Sequence, residues 1–337
     1  MRAQVVTEIP SLAPELQEIP KPEPLPGELL VQVEACGICG TDLHILAGES
    51  YRPDLPFVLG HEGVGVVTAT GSAEDAGWVG QRVTSTLFEG AGGDCDLCRA
   101  GTGPCLDGNE RLCPTIRSVI GISERNGAFS EFVAMRAGQA IPVPTTLSSP
   151  DAAALVDAGA TAVNTVEAIT YTGSAPLVVV GAGPVGFFVA ELLRRDGRDL
   201  VVVEPQRSRR EAASRLGHQA VPTAEDAPAT PCVVECSGSP AAIQPGLDLL
   251  LPRGMLVLAG YATVPSLDMA SIARKELSIR GIRSGSNAHL RRALELAAAG
   301  EIRVPLLTLW PLEEMADALD ALRAGEVEGK AVITVGP

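Results

Sequence analysis

The stretch from residue 36 to residue 65 reads CGICGTDLHILAGESYRPDLPFVLGHEGVG and sets thiols, imidazoles and several carboxyl groups among tight glycine turns. Cys39 and His61 are donors of the kind Zn²⁺ takes, and a catalytic zinc needs only three protein ligands, its fourth position staying open for substrate. Asp42 is suited to accept from the other ring nitrogen of a ligating His61 and so to fix its tautomer. Alone, Cys39 could be a small buried hydrophobe and His61 an ordinary hydrogen-bonded interior histidine. Together, with Glu62 following and Gly60 and Gly63 flanking, they point to the floor of a metal site. Cys36 fits a buried packing role, because no second cysteine pair stands nearby to complete a separate zinc knuckle.

Two further groups of residues could do chemistry. Cys95, Cys98, Cys105 and Cys113 follow a C-x2-C-x6-C-x7-C pattern in a loop rich in Gly, Asp and Pro. Four thiolates without histidine make a closed tetrahedral shell, the structural type of zinc site, which leaves no position for substrate; reduced thiols in a loop are the alternative. Gly181, Gly183 and Gly186 form G-x-G-x-x-G, with Pro184 and Val185 between the last two, directly after the apolar run LVVV. In that context the first glycine permits a tight turn, the second lets the backbone approach a pyrophosphate, and the third allows close helix packing, with the helix N-terminus facing the phosphates. Glu204 ends the next apolar run at the right distance to accept from the adenosine ribose hydroxyls. Its charge would repel a 2′-phosphate, which favours NAD over NADP, although Arg207, Arg209 and Arg210 lie close behind and could soften that choice.

The elements that must position these groups differ between the two halves of the chain. Residues 1–150 carry short apolar runs broken by Gly and Pro, at 4–9, 28–35, 58–70, 82–86 and 128–134, which predict a small β-rich domain with irregular loops. Near Ser149 the texture changes: residues 149–170 are alanine-rich with helical spacing, and LVVV, GAGPVG and FFVAELLRR follow as strand, turn and helix. The alternation repeats at 200–204, 232–238, 255–260 and 277–281, which predicts a doubly wound parallel sheet over residues 151–285. Residues 286–337 hold two amphipathic helices and the strand-like KAVITV, and are expected to return to the first domain.

Bulk composition narrows the function classes. A chain of 337 residues is long for one core, so two domains are expected. With 46% hydrophobic and 20% charged residues the chain reads as soluble and globular, α/β in class. A formal charge of −15 argues against nucleic acid, where Lys and Arg must neutralise phosphates. The first residues carry charges and prolines where a secretion signal would be apolar, and no apolar run is long enough to span a bilayer, so an intracellular, cytoplasmic protein with no membrane partner is expected. Eight cysteines in such a chain favour thiols and metal over disulfides.

C-G-T-D-L-H followed by G-H-E-G-V-G, a four-cysteine lobe and a later G-x-G-x-x-G resemble, in order and over nearly the whole chain, the zinc-dependent medium-chain alcohol and polyol dehydrogenases. The resemblance implies a GroES-like catalytic domain, split in sequence, around a Rossmann domain. It implies that Cys39 and His61 bind the catalytic zinc, with Glu62 beside the metal and Asp157 as third ligand in a segment where relatives carry Cys, Glu or Asp. A helix N-terminal aspartate favoured by the macrodipole is the other reading of Asp157. Thr41 and His44 match the family's proton relay, in which the hydroxyl bonds the substrate oxygen and the imidazole releases the proton near neutral pH. Thr161 matches a position near the nicotinamide, Cys236, Gly238 and Gly260 match strand ends lining the cofactor cleft, and Lys330 resembles a basic pyrophosphate contact.

The family's cysteine lobe has two residues between its second and third cysteines, where this chain has R-A-G-T-G-P. A longer loop closing on the same structural metal, or a site left empty, both follow from that. The implied activity is hydride transfer between a small-molecule alcohol, secondary or polyol, and NAD. A threonine- or amino-alcohol-type enzyme is the alternative, and from another class a nucleotide-binding protein that has lost its chemistry. Tyr51, Phe57, Leu87 and Phe88 are candidates for the substrate pocket, and by analogy a homodimer or homotetramer is expected.

Overall fold

The computed structural model describes residues 1–89, 93–261 and 266–336. The chain forms two compact units, the first comprising Met1–Asp157, Ser286–Ala298 and Leu306–Pro337 and the second Ala158–Gly285 and Ala299–Pro305. Four crossings therefore join them.

The first unit is built on a seven-stranded sheet whose long central strand, Glu28–Gly37, pairs antiparallel with Glu62–Thr70 on one side and with Phe132–Arg136 and Lys330–Thr334 on the other. ELLVQVEACG alternates poorly because Leu29, Leu30, Val31, Val33, Ala35 and Cys36 are all buried, as expected of a strand covered on both faces. Gly65 lies against that strand so tightly that a Cβ there would fall 2.0 Å from the Gln32 carbonyl oxygen. The C-terminal strand Lys330–Thr334 is also paired, in parallel, with Leu307–Pro311. These last strands complete the sheet of the β-rich unit, while residues 299–305 of the same stretch group with the second unit.

The second unit holds a six-stranded parallel sheet with strands in the order Gln219–Val221, Leu200–Val203, Leu177–Val180, Thr230–Glu235, Leu250–Leu258, Ser278–Gly281. Numbered along the chain this is 3-2-1-4-5-6, the doubly wound order whose reversal point lies between the first and fourth strands. Val178, Val180, Val203, Val233, Ile243, Leu247, Leu250 and Leu256 form the core on one face. Helix Pro184–Arg195 follows the first strand, with Phe188, Val189, Leu192 and Leu193 buried. No helix among the described residues is long and apolar enough to cross a membrane.

Candidate active site

Three neighbouring strands of the first unit end at one place. Gly37 pairs with Glu62 and with Val332, and Lys330 lies just before Val332 on its strand. Gly37 has no room for a side chain: a Cβ would fall 1.8 Å from Glu62 Oε2 and 3.0 Å from Lys330 Cε. Its absence lets the Glu62 carboxylate and the Lys330 ammonium meet, with Nζ 2.7 Å from Oε1 and 2.6 Å from Oε2. Both residues are buried. Burial opposes the charge on Lys330, but Glu62 and then Cys39 outweigh it and raise its pKa to about 12. Lys330, expected against a pyrophosphate, is spent here on Glu62; the sequence gives no sign of that partnership, because the two residues are far apart in the chain.

Immediately after Gly37 the chain turns into the helix Gly40–Leu46, with Cys39 as its N-cap. Asp42 does two things at this turn. Its Oδ2 accepts the Cys39 N–H at 2.8 Å, closing the first helical turn, and its Oδ1 lies 3.5 Å from His61 Nδ1. Cys39 Sγ lies 3.7 Å from Thr41 Oγ1 and 3.6 Å from Asp157 Oδ2. His61 stands between the short strand Phe57–Val58 and the strand Glu62–Thr70, after Gly60, whose φ of +99° and 2.7 Å approach of a virtual Cβ to Phe129 N both require glycine. One ligand atom each from Cys39, His61, Glu62 and Asp157 lie within 4.8 Å of one another. His61 is 2% exposed and neither ring nitrogen has a hydrogen-bond partner. An imidazole stripped of water and left without hydrogen bonds is costly unless something else takes its lone pair. Sulfur, nitrogen and carboxylate oxygen converging on such a ring are the donor set of an open zinc site, so the residues fit the metal. Burial presses the ring toward neutrality, while Asp42 and Cys39 more than offset it and raise its pKa.

On the exposed side of the same helix, His44 Nδ1 lies 2.9 Å from Glu49 Oε2. Of the residues considered for a substrate pocket, Phe57, Leu87 and Phe88 are buried and Tyr51 is half-buried. Cys36 is buried in the central strand.

In the cysteine lobe, the thiols of Cys95, Cys105 and Cys113 lie within 4.8 Å of one another. Cys98 is buried in the same cluster and hydrogen-bonds Cys105. The long spacer closes over this thiol: Gly101 turns with φ +76°, and a Cβ on Gly103 would fall 2.2 Å from Cys98 Sγ. Desolvation, and hydrogen bonds that the Cys105 thiol donates to Cys113 and Cys98, push it up to about 12. All four cysteines are free, and converging thiols of this kind fit a structural zinc.

In the second unit, the fingerprint glycines meet three different demands. Gly181 has φ +96°, and a Cβ on Gly186 would fall 1.9 Å from the Gly181 carbonyl oxygen, whereas nothing of the chain lies within 4 Å of the Cβ position of Gly183. The fold itself does not require glycine at Gly183; a pyrophosphate brought onto the N-terminus of helix Pro184–Arg195, whose first turn holds Pro184 and Val185, would. Glu204 is 5% exposed, and its carboxylate already accepts from Ala182 N at 2.8 Å and Gln206 N at 2.9 Å. Arg207 pairs with Glu211, and Arg210 donates to the backbone oxygens of Glu204 and Pro205; Arg209 lies between them on the helix Arg207–Arg215. Gly238, with φ +64°, and Gly260 sit after adjacent strands so closely that a Cβ on Gly260 would fall 2.3 Å from Gly238 N. Cys236 precedes them and burial raises its pKa. Thr161 is buried in the helix Ala158–Glu167.

A split β-rich unit with a buried Cys–His–carboxylate cluster and a separate doubly wound nucleotide-binding unit define a class, the two-domain dehydrogenases. Comparison with known proteins agrees. Residues 25–145 match the family profile described as the alcohol dehydrogenase GroES-like domain, and residues 184–299 that described as zinc-binding dehydrogenase. The chain belongs to the zinc-dependent alcohol dehydrogenases of the medium-chain dehydrogenase/reductase superfamily. It is 30% identical to an alcohol dehydrogenase of Geobacillus stearothermophilus, over 95% of this chain and 96% of that one. It is 32% identical to an L-threonine 3-dehydrogenase of Saccharopolyspora erythraea, over 99% and 98%. Among solved structures, the cobalt- and zinc-bound thermostable alcohol dehydrogenase of Pyrobaculum aerophilum superposes with a TM-score of 0.87 at 26% identity, covering 99% of each chain.

Proposed function

We infer that this chain is a zinc-dependent, NAD-linked alcohol dehydrogenase that interconverts a secondary alcohol or polyol and its carbonyl compound. The observation that carries the reading is the His61 ring, buried without a hydrogen-bond partner and surrounded by Cys39, Glu62 and Asp157 within ligand distance. Bound zinc supplies a Lewis acid that lowers the pKa of an alcohol hydroxyl, and bound NAD supplies the hydride acceptor. The chain's own part is to hold and orient. Cys39, His61 and Asp157 hold the metal, and Asp42 fixes the His61 ring by facing Nδ1, which leaves Nε2 as the ligating nitrogen. Glu62, tethered by Lys330, keeps a carboxylate beside the metal. The Thr41 hydroxyl bonds the substrate oxygen, since a hydroxyl both donates and accepts, and His44, one turn along the same helix, passes the proton to solvent. Gly181, Gly183 and Gly186 admit the pyrophosphate, Glu204 takes the ribose hydroxyls, and Thr161, Cys236, Gly238 and Gly260 shape the nicotinamide end. Cys95, Cys98, Cys105 and Cys113 hold a structural zinc.

A threonine- or amino-alcohol-type substrate is the second reading, favoured by the similarity to the threonine dehydrogenase. A non-catalytic descendant is opposed by the intact set of Cys39, Thr41, His44, His61, Glu62 and Asp157. A cytoplasmic homodimer or homotetramer completes the proposal. Zinc content and NAD reduction with a panel of secondary alcohols, polyols and amino alcohols test it in Cys39→Ala and Asp157→Ala. Both variants should lose a zinc equivalent and nearly all turnover; unchanged zinc and full activity in both would sink the ligand assignment.

A further inference from the structure

We propose that Glu49 is a positioning residue for His44, holding its imidazole in the Nδ1–H tautomer so that Nε2 is the nitrogen that receives the proton released by alcohol oxidation. The inference rests on the relay reading of His44 given above, and its geometry is independent of it. The helix Gly40–Leu46 stops at Ala47, and Gly48, with φ +75°, reverses the chain. That reversal places the Glu49 N–H on the His44 carbonyl at 2.9 Å, while Ala47 N bonds Leu43 O at 2.9 Å. The bond from Glu49 N to His44 O is a helix-stop bond of the Schellman kind. The Glu49 side chain is thereby returned to the residue its backbone already grips, and Oε2 reaches His44 Nδ1 at 2.9 Å. Backbone and side chain thus bind the same residue from one position.

A carboxylate only accepts, so a 2.9 Å contact to Nδ1 requires the proton on Nδ1. Nε2 then carries the lone pair. When a proton arrives there, the ring becomes a cation, keeps its Nδ1–H bond to Glu49 and is stabilised by the carboxylate charge already beside it; loss of the Nε2 proton to water restores the starting tautomer. The pair contributes little to the fold, because the side chains are 58% and 64% exposed and exposed ion pairs are weak. Orientation is what it can supply, since the tautomer of a histidine is set by the bond its other nitrogen makes.

The test uses the full chain with its ring nitrogens labelled with ¹⁵N in histidine. His44→Gln assigns the His44 signals among those of His61, His218 and His289. On the alkaline side of histidine titration, His44 should show a protonated Nδ1 and an unprotonated Nε2 in the wild type and in Glu49→Gln, whose amide oxygen can still accept. In Glu49→Ala the Nδ1–H population should fall. Steady-state oxidation should follow: Glu49→Ala lowers kcat roughly tenfold, part of the about 10²–10⁴-fold that a positioned acid–base group contributes, with KM for NAD and alcohol unchanged. Glu49→Gln should recover most of that loss, and Glu49→Ala should add nothing to His44→Gln. Unchanged His44 nitrogen shifts in Glu49→Ala would overturn the proposal. Full kcat in His44→Gln would remove the relay reading, and the tautomer measurement would still decide whether Glu49 sets the ring.

Discussion

Glu204 is asked to serve two masters. Its carboxylate is the group that would accept from the ribose and repel a 2′-phosphate, yet it also terminates two backbone amides, Ala182 N inside the glycine turn and Gln206 N in the loop after its own strand. Removing it to admit NADP would leave both N–H groups without their acceptor in a site where Glu204 is 5% exposed. Each unsatisfied donor costs about 1–3 kcal/mol unless water reaches it. Glu204→Ala should therefore lose NAD preference and also unfold earlier in urea than the wild type, by about 2 kcal/mol. An unchanged denaturation midpoint would show that water replaces the carboxylate. At the same scale, the grouping of Cys39, His61 and Glu62, with Asp42 facing His61, was legible because each stands in a short local pattern. The partners of Lys330 and Glu49 were not: neither residue lies in a spacing that names its partner, and what joins them to Glu62 and His44 is a sheet register and a helix stop.

Helix Pro184–Arg195 shows where an element needs more than its own sequence. Its start was readable from the glycine fingerprint and its inward face from the spacing of Phe188, Leu192 and Leu193. Its main polar tie was not. Glu191 is buried on this helix and accepts from Arg303 at N, Nε and Nη2, at 3.0, 2.9 and 2.6 Å, from Arg194 at 3.1 Å, and stands 3.4 Å from His218 Nε2. Arg303 belongs to the segment Ala299–Pro305, which joins the second unit after the chain has already left it. Burial pushes the Glu191 carboxyl up, but hydrogen bonds from His218, Arg303 and Arg194 more than reverse this and hold it well below the usual carboxylate range. A carboxyl depressed in the folded state stabilises fully above its unfolded value, about 4.3, and that contribution is lost as pH falls toward the folded value. Glu191→Gln should lower the melting temperature at pH 7, with a cost of roughly 2 kcal/mol because Arg194 and Arg303 are partly screened by water. The gap to wild type should stay constant down to about pH 5 and narrow below pH 4. A gap independent of pH would mean that shape, and not charge, holds Arg303. The strand Glu15–Glu18 escaped the sequence for a related reason: ELQE offers one apolar residue and is largely exposed, and only pairing with Arg2–Val6 makes it a strand.

On the scale of the whole molecule, the cysteine lobe separates stability from catalysis. Its zinc would close a loop that contributes no residue to the Cys39–His61 cluster, so Cys105→Ser and Cys113→Ser should each lose a zinc equivalent and melt earlier while keeping near wild-type kcat at temperatures where they remain folded. Elemental analysis beside kcat checks this, and a matched loss of activity without unfolding would tie the lobe to turnover. The long spacer was visible as a departure from the family pattern, but not its resolution, since the close approach of Gly103 to Cys98 exists only once the loop is folded. The late return of Lys330–Thr334 to the central sheet has a consequence for synthesis. Residues 35–37, which lead into Cys39, pair with Thr334, Ile333 and Val332. The second unit has all its residues once Pro305 is made, whereas those three residues, paired early on one edge with residues 62–64, wait for the partner on their other edge for roughly 15–60 s at about 5–20 residues per second. A strand made before the whole second unit is thus completed after it, and the open edge beside Cys39 is where a nascent chain would need chaperone cover.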